Sequence, residues 1–158
     1  MLKQYIKRES YNVILQDNGT FAVIDYEKKL KLPTQKTRFD ERDLLDSKYD
    51  LITHIDSTHF KQAVLVFMRN KSEQNAILEF TGDEIILTDT LAFEYAFKNK
   101  CEKHKYYVGE SFKRAFTYVK GSNFKIKRTE SRSPVDIILI ECDKRKIIIP
   151  LARVERSE

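Results

Sequence analysis

Tryptophan is absent from this 158-residue chain, which holds two cysteines, three prolines and four glycines. Each shortage excludes something. Four glycines can hardly build a glycine-rich phosphate cradle, and no Gly-x-Ser-x-Gly elbow for a hydrolase nucleophile occurs. Two cysteines, Cys101 and Cys142, make no disulfide framework and are expected to be reduced packing residues. Cys101-x-x-His104 has a metal-like spacing without a second ligand pair nearby, so no metal or cofactor is expected. No apolar run approaches the roughly 20 residues that cross a bilayer, and the polar start MLKQYIKRES has no signal-peptide core. The expectation is a cytoplasmic protein that does not engage membranes.

What is present is a dense, charged, strand-rich pattern. Hydrophobic residues make up 41% and charged residues 34%, which fits one compact domain with an extension. The formal charge is +5, and it is uneven. Between Lys98 and Arg132 stand eleven Lys or Arg against three Glu, so the remainder of the chain is mildly acidic. A basic stretch of this kind is the footprint of a polyanion surface, or of a solvated domain face.

The organising signal is an internal repeat. Residues 52–70, ITHIDSTHFKQAVLVFMRN, and 104–122, HKYYVGESFKRAFTYVKGS, share Phe-Lys-x-Ala at Phe60 and Phe112, a constant offset of 52. Each begins as a strand, turns through Ser57-Thr58 or Gly109 and Ser111, and enters a short amphipathic helix. In the first helix Phe60, Ala63, Val64 and Phe67 form the stripe to be buried; in the second, Phe112, Ala115, Phe116 and Val119 do so. Three strand-like runs follow each helix, giving a twofold βαβββ repeat. Ahead of it, residues 11–26 read as a β-hairpin about Asp17-Asn18-Gly19, with a linker at 33–38 and an acidic connector from Asp40. The division expected is an extension over residues 1–50 and a domain over 51–158.

Enzyme chemistry finds little support. Asp136, Glu141, Asp143 and Lys144 resemble the acids and lysine of a metal-dependent nuclease, but Glu141-Cys142-Asp143 places an acid where strand alternation would require the lysine. No catalytic residues are expected.

Two βαβββ units with both helices on one face of a mainly antiparallel sheet resemble one domain of the bacterial DNA polymerase III β sliding clamp. Ser133-Pro134-Val135, followed by two strands and ending at Ile147-Ile148-Ile149-Pro150-Leu151-Ala152-Arg153, is similar to the close of that family's C-terminal domain. The resemblance covers residues 51–154. It implies an α+β, DNA-clamp-like fold and a non-catalytic processivity or accessory factor around or beside double-stranded DNA, without sequence preference. The family's inner helices place cations on phosphates. The matching positions are Lys61, Arg69, Lys113, Arg114 and Lys120. Its peptide pocket maps to Ile147, Ile149, Pro150 and Leu151, residues that could equally fill the core. Replication proteins and further copies of the chain are the partners implied. A single domain is smaller than the family's three-domain chain, which suggests a phage, plasmid or other mobile element. A protein-interaction module of the same fold, without DNA encirclement, is the alternative.

Overall fold

A computed structural model describes residues 12–16, 21–26, 47–69, 76–89 and 93–154. The linker and most of the acidic connector lie outside the described residues, as does the Asp17-Asn18-Gly19 turn. Ten strands and two helices follow one another: β1 (Asn12–Gln16), β2 (Phe21–Asp25), β3 (Asp50–Asp56), α1 (Phe60–Met68), β4 (Ala76–Phe80), β5 (Glu84–Thr88), β6 (Glu94–Lys98), β7 (His104–Val108), α2 (Glu110–Phe116), β8 (Asn123–Glu130), β9 (Val135–Cys142) and β10 (Arg145–Ala152). The predicted hairpin and the two βαβββ units are all present, in an α+β fold whose strand pairings are antiparallel.

The strands divide into two sheets, ordered β1-β2-β10-β9-β8-β3 and β6-β5-β4-β7. This order exposes the symmetry of the repeat. The first strand of each unit leaves its own unit and pairs with the strand that follows the other unit's helix: β3 with β8, and β7 with β4. Isolated bridges then tie β3 and β7 to the sheets their own units build, at Thr53–Cys101 and Tyr106–Arg153. These two bridges are equivalent under the repeat. The offset is 53 in the opening strands, where buried Thr53 and Ile55 match Tyr106 and Val108, and 52 in the helices, because the second strand-to-helix turn is one residue shorter.

Local chemistry sets the helix starts. Ser57 Oγ accepts from the N–H groups of His59 and Phe60 at 3.1 and 3.3 Å, which turns the chain out of β3 into α1. In the second copy α2 begins at Glu110, two residues before the shared Phe, with Lys113 N–H donating to Gly109 O. The stripe of α2 is buried as predicted. That of α1 is rotated: Phe60, Val64 and Met68 are buried, while Ala63 and Phe67 are half-buried. One core unites both helices and both sheets. Phe60 lies at its centre, its ring 4.8 Å from Phe97, 6.1 Å from Phe116 and 6.2 Å from Phe124.

The hairpin is built into this core. Phe21 and Val23 of β2 enter it, while Ala22 and Ile24 join Ile137, Leu139 and Ile148 in a second buried cluster on the opposite face of the larger sheet. Among the described residues, pairing of β2 with β10 runs from Asp25–Arg145 to Ala22–Ile148, two positions short of Pro150. The reason is directional. The N–H of Arg153 donates to Pro134 O and that of Tyr26 to Lys144 O, so even-numbered residues of β10 face β2. Proline at 150 therefore has no N–H to offer on that side.

Candidate nucleic-acid interface and adjoining surfaces

The two helices pack against each other, and the expected phosphate ligands lie on or just after them. Their side chains do not stand alike. Arg69, the residue that caps α1, is exposed. Lys61 bends onto the end of α2, where its ammonium donates to Thr117 O at 3.2 Å and to Val119 O. Carbonyls at a helix C-terminus attract a cation there. Burial lowers the Lys61 pKa, with Cys142 raising it and Arg145 lowering it further. On α2, Glu110 in the first turn holds both expected phosphate ligands: Lys113 at 3.1 Å and Arg114 at 3.0 Å. The hydrogen bond from Lys113, against a smaller effect of burial, holds Glu110 below the usual carboxylate range, helped by the Lys113 and Arg114 charges. Lys120 is half-buried beyond the helix, its N–H donating to Cys142 Sγ at 3.3 Å.

The four residues matched to a peptide pocket fall elsewhere. Ile147, Ile149 and Leu151 are 0%, 1% and 7% exposed and belong to the main core; Pro150 is half-buried. Three of them are consumed by packing between β10, β9 and the helices, so they present no surface groove.

Two of the three acids considered for catalysis are engaged in ion pairs. Asp136 is fully buried and accepts from Tyr106 Oη at 2.6 Å, Arg128 Nε at 2.8 Å and Arg153 Nη1 at 2.7 Å. All four side chains close the core where β7 meets β10. Burial raises the Asp136 carboxyl, but hydrogen bonds from Arg128 and Tyr106 and the two guanidinium charges outweigh it and hold it low. Burial and the adjacent carboxylate push the Tyr106 phenol up. Glu141 pairs with Lys127 at 2.7 Å and Lys146 at 3.5 Å. The equivalent junction at Thr53 is neutral: Thr53 Oγ1 donates to Lys100 O and accepts from Asn99 Nδ2. Among the described residues no cluster of three metal-ligating side chains occurs, and no helix is long and apolar enough to cross a membrane. Both thiols are free; Cys101 Sγ accepts from Gly82 N–H and donates to Glu84 O.

A surface the sequence reading missed lies beside α1. Ala63, Val66 and Phe67 face Tyr95 of β6 across an open apolar groove edged by His59 and Gln62. Val66 is 50% and neighbouring Phe93 63% exposed. The available signal was Phe93-Glu94-Tyr95-Ala96-Phe97, aromatic at every second position.

The paired helices, the reciprocal strand exchange and the two βαβββ units are the plan of a DNA sliding-clamp domain. Solved structures agree. The Helicobacter pylori β clamp, crystallised with a DNA ligase peptide, matches over 92% of this chain with a TM-score of 0.54 and 14% identity. A DNA polymerase III β subunit from Eubacterium rectale matches with a TM-score of 0.54 and 13% identity, again over 92% of the chain. The sliding clamp of Caulobacter crescentus does so over 98%, with a TM-score of 0.51 and 12% identity. The chain spans 41% to 44% of the length of these three proteins. No protein-family model matches the sequence, and no curated protein does.

Proposed function

We propose that this protein is a non-catalytic, clamp-like factor that associates with double-stranded DNA through the surface shared by α1 and α2. In this reading residues 51–158 are the clamp-like domain and residues 1–50 an extension that covers one of its sheet edges. It acts in the cytoplasm as a processivity or accessory factor of replication, alone or as several copies. The supporting observation is the charge of the shared helical surface. Lys61, Arg69, Lys113, Arg114 and Lys120 fall on or just beyond the two helices against one acid, Glu110, an excess suited to phosphates without reading bases. Binding of a fluorescently labelled duplex, followed by anisotropy across a salt series, tests it. Affinity should fall steeply with salt, and Arg69→Glu with Lys113→Glu should weaken binding and flatten the salt dependence by roughly two phosphate contacts. Salt-independent or absent binding rejects the reading.

A second reading is a protein-interaction module of clamp fold that does not encircle DNA. The apolar groove of α1 favours it, because a phosphate-facing helix gains nothing from Val66 and Phe67 at its surface.

A further inference from the structure

The repeat supplies its own template for what belongs in that groove. Matched through the strand registers, Tyr95 of β6 corresponds to Ile147 of β10 and Phe97 to Ile149, since each pair lies opposite equivalent residues of β5 and β9. In the helices Ala63, Val66 and Phe67 correspond to Ala115, Tyr118 and Val119. The two sets differ in cover. Ala115, Val119 and Ile147 are at most 1% exposed, and β2 lies against them: Val23 pairs opposite Ile147, and the Phe21 ring packs 6.1 Å from Tyr118. In the first unit no described strand covers the same seat. Ala63, Phe67 and Tyr95 are half-buried and Val66 is half-exposed.

The backbone matches as well. Asp89 N–H donates to Phe93 O and Asn99 N–H to Asp83 O, so odd-numbered residues of β6 bond to β5. The N–H and C=O of Ala96 therefore point outward, as those of Ile148 point to β2. Among the described residues β6 pairs with β5 alone. It carries no proline to stop an added strand.

We propose that β6 and α1 form a docking site for an extended segment of a partner protein, which adds antiparallel to β6 as β2 does to β10 and sets its apolar side chains into the groove. The chemistry of the segment follows from the template. Positions opposite Tyr95 and Phe97 take a β-branched and an aromatic residue, as Val23 and Phe21 do. At the third, Phe93 replaces Arg145, the residue that receives Asp25 in the second unit, so the segment carries an apolar residue there instead of an acid. This requirement disfavours insertion of a second copy's β1, the outer strand of the larger sheet, since Asn-Val-Ile-Leu-Gln has no three apolar residues at alternate positions. The inference rests on the second reading above and deepens it.

The probe is a labelled synthetic peptide of residues 20–26 bearing Asp25→Val, titrated against the full chain by anisotropy. Saturable binding is expected, weakened roughly tenfold or more by Val66→Glu in the groove and by Ala96→Pro, which removes an outward N–H while keeping the ladder to β5. The unaltered Asp25 peptide should bind less well. Circular dichroism confirms that both variants fold. No binding, or equal binding by wild type and the two variants, overturns the proposal. So does self-association of the wild type that Ala96→Pro disperses, which would assign the seat to another copy. DNA binding measured on Ala96→Pro should be unchanged, so failure here leaves the DNA reading standing, and failure of the DNA reading leaves this site.

Discussion

Arg145 on β10 holds Asp25 on β2 through Nε and Nη2, at 3.2 and 2.9 Å from the same carboxylate oxygen. Its remaining Nη1 donates to Tyr118 O at 2.9 Å, just past α2. One guanidinium thus ties the hairpin, the larger sheet and the second helix together. The Asp25 side chain is 3% exposed, so removing the arginine takes a charged partner from a buried carboxylate. Arg145→Ala should cost about 3 kcal/mol in urea unfolding, and Asp25→Asn combined with Arg145→Met should recover most of it.

The hairpin itself should prove indispensable. Phe21 and Val23 fill the main core, and Ala22 and Ile24 fill the opposite one, so β2 is buried on both faces. Phe21→Ala should destabilise by about 3–5 kcal/mol in the same assay. Deletion of residues 1–35 should yield aggregated protein by light scattering, because it uncovers both faces and the edge of β10.

Acid should loosen the fold in two stages. Burial, with the charge of Arg128, lowers the His104 pKa against the opposing pull of Asp136. The folded state therefore favours neutral His104, and this contribution is complete above the ordinary value of about 6.5 and is lost as pH falls below it. Asp136 has a depressed pKa, so its contribution is complete above about pH 3.9 and lost as pH falls through the lower folded value. Thermal melts against pH should show both declines. His104→Gln should remove the first, and Asp136→Asn should lower stability near neutrality while flattening the second.

The cations of the helices should differ in effect. Glu110→Gln removes the acid that pairs with Lys113 and Arg114 and should tighten duplex binding several-fold at low salt, while the lost charge at the start of α2 costs about 0.5 kcal/mol of stability. Lys61→Met should instead lower stability by about 1 kcal/mol through the uncapped end of α2, and change DNA affinity less than Arg69→Met does. Anisotropy and urea unfolding on the same four proteins separate the two effects.

Periodicity explains why so much of the architecture could be read in advance. Strand alternation and the helical stripe at Phe112, Ala115 and Phe116 depend on neighbours within a few residues, and Phe-Lys-x-Ala fixes the offset. Side-chain partners far apart in sequence obey no such period. Nothing near Lys61 announces that it reaches Thr117, and although alternation with Lys125 and Lys127 outward puts Arg128 on the inner face with Phe124 and Ile126, it does not name Asp136 as its partner. A clue existed there: an acid interrupts the apolar run PVDIILIE, and a buried acid requires a cation. The placement of Ile147, Ile149 and Leu151 was ambiguous for a related reason, since an apolar alternation marks a buried face without saying whether a helix or a ligand covers it. The rotation of α1 toward Met68 had no warning, because nearly every side of FKQAVLVFM is apolar.

The exchange of opening strands between the units bears on how the chain acquires its structure. Because β3 finds its partner some seventy positions later in β8, and β7 looks back to β4, neither half holds a complete sheet of its own. Unfolding should then be one concerted event, and refolding slow for a protein of this size, since distant segments must meet before either sheet is finished. Chains cut after residue 101 should be shapeless separately and recover order upon mixing.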